Sequence, residues 1–209
     1  MKLRPDMTRI SITLTEICKE YAEALKRSTE GTDKLKELLS RFGFQRSDLK
    51  TLSFNVDAEY ESYREKNEYR QRLAGYRYRH TMKIEFDSDN DRLGKILYAL
   101  ANSDPYPEFS ISYTVRDQES AKNELLGKAV TDAENKAAIL AGAAGLKLKD
   151  IQTVDYSWGD TAMEVRPMGR MLAANKMATE DCGAGSYSMD IEPDDIVVSD
   201  NVTVVWEIE

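Results

Sequence analysis

The sequence predicts an α+β fold in which helices pack on one face of a largely antiparallel sheet. Several segments alternate apolar and polar residues with period two, as strands with one buried face do. Other segments repeat apolar residues every three to four positions, as amphipathic helices do. The predicted order is β-α-β-β-α-β-α-β-β. Because helices and strands do not alternate regularly in this order, a doubly wound parallel sheet is disfavoured.

Six strands are predicted from the alternating segments. They are residues 8–16, 52–60, 74–86, 109–115, 150–158 and 196–208. The second and third are the clearest, because strict alternation continues through each of them. The charged stretch between them, residues 63–73, is predicted to be the tip of a long hairpin.

Three helices are predicted, and each has a signal at one of its ends. They cover residues 21–42, about 88–102 and 117–144. Gly43 and Gly145 follow the first and third helices, where glycine can adopt the left-handed conformation that ends many helices. Ser88 or Asp89 can cap the second helix, and Asp117 the third. The inner stripe of the third helix is predicted to be Leu126, Val130, Ala133, Ala137, Leu140 and Ala144.

Residues 159–195 break these patterns. The segment is rich in glycine and methionine and poor in the aliphatic residues that build a core. We therefore expect a flexible insertion within a single domain that covers residues 1–209. Its methionines, at positions 163, 168, 171, 177 and 189, are interpreted as loop residues rather than copper ligands, because their spacing is irregular.

Composition describes a globular protein with a polar surface and excludes several other classes. Hydrophobic residues make up 41% of the chain and charged residues 32%, unlike a disordered or collagen-like sequence. No apolar run approaches the roughly 20 residues that a bilayer requires, so no membrane span is expected. The net charge of −8 argues against a protein dedicated to coating DNA.

The two cysteines and the first residues bear on localisation. Cys18 and Cys182 lie far apart without a CxxC pair, which excludes a disulfide framework and a zinc ribbon. The N-terminus lacks the apolar core of a signal peptide. We expect a cytoplasmic protein from the chain as written, or a periplasmic or cell-surface protein if a leader has been trimmed.

Five segments, taken in order, resemble one known family. They are RPDMTRI at 4–10, FGFQRSDLKTLSFNVDAEY at 42–60, LAGYRY at 73–78, AKNELLGKAVTDAENKAAILAGAAGLKLKDI at 121–151, and the closing strand. Together they resemble the SIMPL-domain family of mostly uncharacterised bacterial proteins. The resemblance covers nearly the whole chain and implies an α+β fold and a tendency to self-associate. It implies no catalytic residues. Relatives usually have a short strand ahead of the pair that is Pro5-Asp6 here.

His80 is the single histidine, so Ser-His-Asp or Cys-His catalysis would depend on it alone. It falls on the apolar face of a predicted strand, which favours a partly buried structural histidine over a catalytic base. The run at 87–91 imitates the start of an EF-hand loop. However, Arg92 replaces the required glycine and Tyr98 the bidentate glutamate, so helix capping is favoured over metal binding.

The predicted hairpin has an excess of basic residues, whereas the whole chain has an excess of acidic ones. Between residues 63 and 83 there are seven Lys and Arg against two Glu, a local excess of 7 − 2 = 5. Tyrosines lie among them, and basic side chains with aromatics are typical of RNA and single-strand binders. The candidate anion-binding residues are Arg70, Arg72, Arg77 and Arg79. The net negative charge opposes long-range steering, so nucleic acid is not the favoured partner.

These patterns leave two main functions open. The favoured one is non-enzymatic and needs no metal or cofactor: a homo-oligomer that acts through protein–protein contact, with the 159–195 insertion as its variable recognition surface. The alternative is binding of an anionic ligand, RNA or a phosphorylated partner by hairpin 63–83. An enzyme of unknown type would require His80 exposed in a pocket beside a carboxylate.

Overall fold

The computed structural model describes residues 1–65, 68–156, 163–166 and 192–209, and it confirms the predicted α+β class. The helices are α1 (Tyr21–Ser40), α2 (Asn90–Ala101) and α3 (Gln118–Ala143). The longer strands are β2 (Met7–Cys18), β3 (Lys50–Glu65), β4 (Glu68–Asp87), β5 (Glu108–Thr114), β6 (Leu148–Asp155) and β9 (Thr203–Ile208). The two-residue strands are β1 (Lys2–Leu3), β7 (Glu164–Val165) and β8 (Ile196–Val197).

The chain divides into two compact units. Unit 1 comprises Met1–Asp6, Thr114–Val165 and Asp194–Glu209, and unit 2 comprises Met7–Tyr113 and Arg166–Pro193. The expectation of one domain over residues 1–209 stays a prediction, because compactness alone does not test it.

Unit 2 is an antiparallel sheet with helices against it. Its strands hydrogen-bond in the order β3-β4-β2-β5, and β2 pairs with β4 along its whole length. Helix α1 packs on β2 and β4 and contributes five buried residues, Ala24, Ser28, Gly31, Leu35 and Leu39. Helix α2 buries Leu93, Ile96, Leu97 and Leu100.

The helix ends confirm the capping predictions. The side chain of Asp89 accepts a hydrogen bond from the backbone N–H of Arg92 at 3.0 Å. That of Asp117 accepts one from Ser120 at 2.8 Å. Each bond satisfies an N–H that has no partner within the helix. Gly43 follows α1 with φ of +84°.

The hairpin of β3 and β4 is longer than predicted, and the expected tip at 63–73 is wrong. β3 continues to Glu65 and β4 begins at Glu68, so most of the charged stretch is paired strand. The hairpin extends past Cys18, the last residue of β2. Nearly all its side chains are exposed there, so no buried face gives this part a period-two pattern.

Unit 1 combines α3 with two small antiparallel sheets. β6 pairs with β9, and β1 pairs with β8. A small core is formed by Ala121, Leu125, Met163, Ile196 and Val198. The predicted final strand 196–208 is therefore two strands, β8 and β9, because the polar run around Asp200 separates them.

Two sequence interpretations in unit 1 need correction. In the predicted stripe of α3, Leu126, Val130, Ala133 and Ala137 are half-buried, but Leu140 is 71% exposed and Ala141 is buried in its place. The alanine-rich helix gives little contrast between its faces, so the sequence does not distinguish Leu140 from Ala141 as the buried position. Met163, expected in a loop, is a core residue, and its carbonyl accepts a hydrogen bond from Thr114 Oγ1 at 2.6 Å. The other methionines of the 159–195 segment and Cys182 lie outside the described residues.

Candidate functional site

The candidate arginines lie on one face of the hairpin; they are Arg70, Arg72, Arg77 and Arg79. Strict alternation along β4 would put the even-numbered pair and the odd-numbered pair on opposite faces. A β-bulge prevents this. Gly75 pairs with Glu59, and Leu73 pairs with Tyr60, the next residue of β3. Ala74 is therefore an extra residue of β4 at this point. The extra residue brings both pairs to the same face as Asp57 and Glu61.

Gly75 is required at the bulge because the end of β2 lies against it. A Cβ at this position would be 2.3 Å from the carbonyl oxygen of Cys18 and 3.1 Å from Cγ2 of Ile17. The first distance is shorter than a non-bonded contact allows, the second is tighter than most such contacts, and φ is +155°. The glycine in the LAGYRY segment therefore allows the close backbone approach that creates the arginine face.

Glutamates face three of these arginines. Arg77 Nε and Nη2 donate to the two carboxylate oxygens of Glu59, at 3.0 and 2.9 Å. Arg72 forms an ion pair with Glu61, and its guanidinium lies over the Tyr63 ring. Arg70 forms an ion pair of 3.7 Å with Glu68, two residues earlier on β4. The basic excess along the chain is thus partly offset across the strands.

Arg79 differs from the other three arginines. It lines a shallow groove of about 390 Å³ together with Asn55, Asp57, Glu59 and Arg77. Arg79 lies opposite Asn55 on β3 and opposite Thr15 on β2. The hydroxyl of Thr15 is buried and has no hydrogen-bond partner among the described residues. Among the described residues, no carboxylate forms a salt bridge with Arg79. Asp57 and Glu59 line the same groove, so two carboxylates there match the two guanidinium groups in number, and Arg79 is the one of the four arginines outside any described salt bridge.

His80 is hydrogen-bonded and partly buried, which agrees with its interpretation as a structural residue. Its Nδ1 lies 3.2 Å from the hydroxyls of Ser28 and Thr32, and its Nε2 lies 2.9 Å from that of Thr51. The edge of the ring meets Phe54, with centroids 5.2 Å apart. Burial, and secondarily the charge of Lys36, lowers the pKa of His80 below its usual value.

His80 also faces a cavity of about 300 Å³. The lining residues come from α1, β3 and β4; they are Leu25, Ser28, Thr29, Thr32, Asp33, Lys36, Phe54 and His80. The sequence analysis did not predict this cavity, because the residues of α1 come close to His80 only when the helix packs on the sheet. The helical spacing of Leu25, Thr29 and Lys36 was the available signal.

The remaining candidate positions have structural roles. Cys18 is buried, and burial followed by the nearby charge of Glu16 raises the pKa of its thiol. The thiol is therefore kept in its unreactive protonated form. Asp89, in the EF-hand-like run, caps α2. Over the described ranges, no group of three or more His, Cys, Asp or Glu is placed to hold a metal ion.

An apolar surface was missed by the sequence reasoning. Four large apolar side chains are exposed at the end of unit 1 where α3 ends, β6 begins and β9 ends. They are Ile139 (71%), Leu140 (71%), Leu146 (39%) and Ile208 (54%), and we call them the apolar end surface. Hydrogen bonds between the backbones of Lys147 and Glu209 hold these chain segments together. Ile139, a large apolar residue outside the predicted stripe of α3, could have indicated it.

The chain belongs to the SIMPL family, described as "Protein of unknown function (DUF541)", whose family model matches residues 1–206. This match confirms the resemblance seen in the sequence. A search of the curated proteins finds no match to the chain. Within the described residues, no helix is long and apolar enough to cross a membrane.

Proposed function

We propose that this SIMPL protein acts without catalysis, through self-assembly and protein–protein contact, and that the apolar end surface of unit 1 is where two copies meet. The observation that carries the proposal is the exposure of four large apolar side chains of unit 1, which are Ile139 (71%), Leu140 (71%), Leu146 (39%) and Ile208 (54%). Exposed apolar surface of this kind is typical of an interaction site.

The strand pairing of unit 1 favours a second copy as the partner. β6 and β9 form a sheet of two strands, and every residue of β6 after Leu148 is exposed. A two-stranded sheet is marginally stable in water, and its open edges can pair with another strand. An identical pair from a second copy would extend the sheet with complementary chemistry on both sides, as in a two-fold interface.

The environment of His80 supports a non-catalytic role. Ser28, one of three hydroxyls within hydrogen-bonding distance of His80, is only 3% exposed, so a substrate has little access to it. Within the part of the chain that the structure describes, the ring nitrogens of His80 hydrogen-bond to hydroxyls and not to the carboxylate that orients a catalytic imidazole.

The test is the solution mass of the intact protein by size-exclusion chromatography with light scattering. We expect a discrete oligomer that persists at high salt, because its contacts are apolar. The variant Ile139→Gln/Leu140→Gln should shift the mass to that of a smaller species. Lys122→Gln/Asn123→Gln is the matched control, since it changes two exposed adjacent residues of the same helix. A monomeric wild type, or equal masses for both variants, would contradict the proposal.

The alternative function is binding of an anionic ligand by the arginine face. Arg79 favours it, because it lies beside a buried hydroxyl without a partner and has no described carboxylate in a salt bridge. RNA or a phosphorylated protein would supply the anion. The favourable charge is local, whereas the whole chain carries −8.

The alternative is tested by fluorescence anisotropy with a labelled oligouridylate at low and high salt. Arg79→Gln should abolish a salt-sensitive association. Arg64→Gln removes the same charge from the opposite face of the hairpin, and it should leave the association intact. Absence of association at low salt would end this proposal.

A further inference from the structure

The cavity beside His80 combines an apolar wall with polar groups that converge on one space. Leu25 of α1 and Phe54 of β3 supply the apolar wall. Hydroxyls of α1 and the imidazole of His80 supply the polar groups. Its volume of about 300 Å³ is at the lower end of the range for small-molecule sites, which are mostly apolar with a few placed polar groups.

The charges that line the cavity do not cancel. Asp33 forms an ion pair with Arg46, so its negative charge is already compensated. Lys36, one turn further along α1, is half-buried and forms no ion pair with any residue that the structure describes. Its positive charge acts on His80, where it is one cause of the lowered pKa. The cavity is therefore electropositive.

The other sides of His80 carry no further charge. β3 places Thr51 and Phe54 against the ring, and β2 places Leu14 opposite it. The charged groups that line the cavity with His80 are Asp33 and Lys36, both from α1. A ligand that enters the cavity thus meets the Lys36 ammonium, the Asp33 carboxylate that is already paired with Arg46, neutral hydroxyls and the imidazole of His80.

We propose that this cavity binds a small carboxylate with an apolar or aromatic body. Lys36 donates charge-assisted hydrogen bonds to the carboxylate. The hydroxyls of Thr29 and Thr32 already donate to the carbonyls of Leu25 and Ser28, so Lys36 is the principal donor to the ligand. Leu25 and Phe54 contact the apolar body. Every group in this site belongs to unit 2, so the site does not depend on the assembly proposed for unit 1.

The single histidine makes the test specific. His80 gives the only imidazole side-chain signals of the 209-residue chain, so its ¹H–¹³C NMR resonances need no assignment. Benzoate titrated into the intact protein should shift them in a saturable way. The pKa of His80 should rise when benzoate binds, because the carboxylate offsets the charge of Lys36. Affinity should therefore increase as the pH falls toward 6.

Two variants and one neutral probe separate specific binding from other causes. Lys36→Gln should weaken benzoate binding roughly tenfold, as expected for loss of a charge-assisted hydrogen bond. Lys34→Gln, on the same helix but outside the cavity lining, should leave the affinity unchanged. Benzamide, which has the ring without the charge, should bind at least roughly tenfold more weakly. The proposal is overturned if His80 shows no saturable shift, if benzamide equals benzoate, or if Lys36→Gln has no effect.

Discussion

Helices α1 and α3 were both predicted from the spacing of their apolar residues, but their environments differ. α1 has 20 residues and buries five of them at helical spacing against β2 and β4. α3 has 26 residues and buries three, Ala121, Leu125 and Ala141. The exposed Ile139 and Leu140 give α3 apolar surface that its own unit does not cover. Helical periodicity therefore identifies both helices, but the extent to which each is covered depends on the elements around it.

The largest expected effect compares one leucine from each helix. Leu35→Ala in α1 should lower the free energy of unfolding by about 3 kcal/mol, because the side chain is 1% exposed and its removal leaves a cavity. Leu140→Ala in α3 should change it by less than about 0.5 kcal/mol. Urea unfolding measures both, at a protein concentration where self-association is absent. Equal losses would show that the surface of α3 is covered within the monomer.

The second prediction concerns two glycines. Gly75→Ala should destabilise unit 2 by about 2 kcal/mol, because its Cβ would meet the carbonyl of Cys18. Gly127→Ala is the control from α3, where no atom lies within 4 Å of the added carbon. It should stabilise the protein by about 0.5–1 kcal/mol through helix propensity. If Gly75→Ala left the free energy of unfolding unchanged, the bulge would tolerate a side chain.

The third prediction compares the caps of α2 and α3. Asp89→Ala and Asp117→Ala should each cost about 1 kcal/mol, because an N–H of the first helical turn loses its acceptor. The corresponding Asn variants should retain most of the stability, since an amide oxygen also accepts this bond. Thermal unfolding distinguishes these outcomes. Asn variants as unstable as the Ala variants would contradict a capping role.

The smallest expected effect is the dependence of stability on pH through His80. Its pKa is lowered in the folded protein, whereas the unfolded chain has the ordinary value of about 6.5. The unfolded state therefore binds more protons between the two values, and stability falls as the pH falls below about 6.5. The loss of stability between about pH 7 and pH 5 should be smaller in His80→Gln. An identical slope for both proteins would contradict the lowered pKa.

Local signals in the sequence were sufficient for much of the fold. Gly43, Asp89 and Asp117 mark helix ends, because each acts on backbone groups within a few residues. The long alternating strands have one buried face, so their period is visible in the sequence. The order of elements was predicted from these local patterns, and the SIMPL resemblance, confirmed over residues 1–206, implied the same α+β class.

Long-range features of the candidate sites were not accessible in the same way. The arginine face exists because of the bulge before Gly75, and a shift of one residue between strands leaves no local sequence pattern. Met163 lies in a sequence segment with the composition of a loop, but residues of α3 and β8 pack around it in the structure. The cavity at His80 requires the packing of α1 across two strands. Each of these depends on contacts between residues that are far apart in the chain.

The most direct test of the account is amide hydrogen exchange measured by mass spectrometry on the wild type and on Ile139→Gln/Leu140→Gln. If two copies meet at unit 1, peptides that cover β6 and β9 should be protected in the wild type and exchange faster in the variant. Peptides from β2 and β4, in the core of unit 2, should exchange equally slowly in both proteins. Unchanged protection of β6 and β9 in the variant would contradict the apolar end surface as the site of assembly.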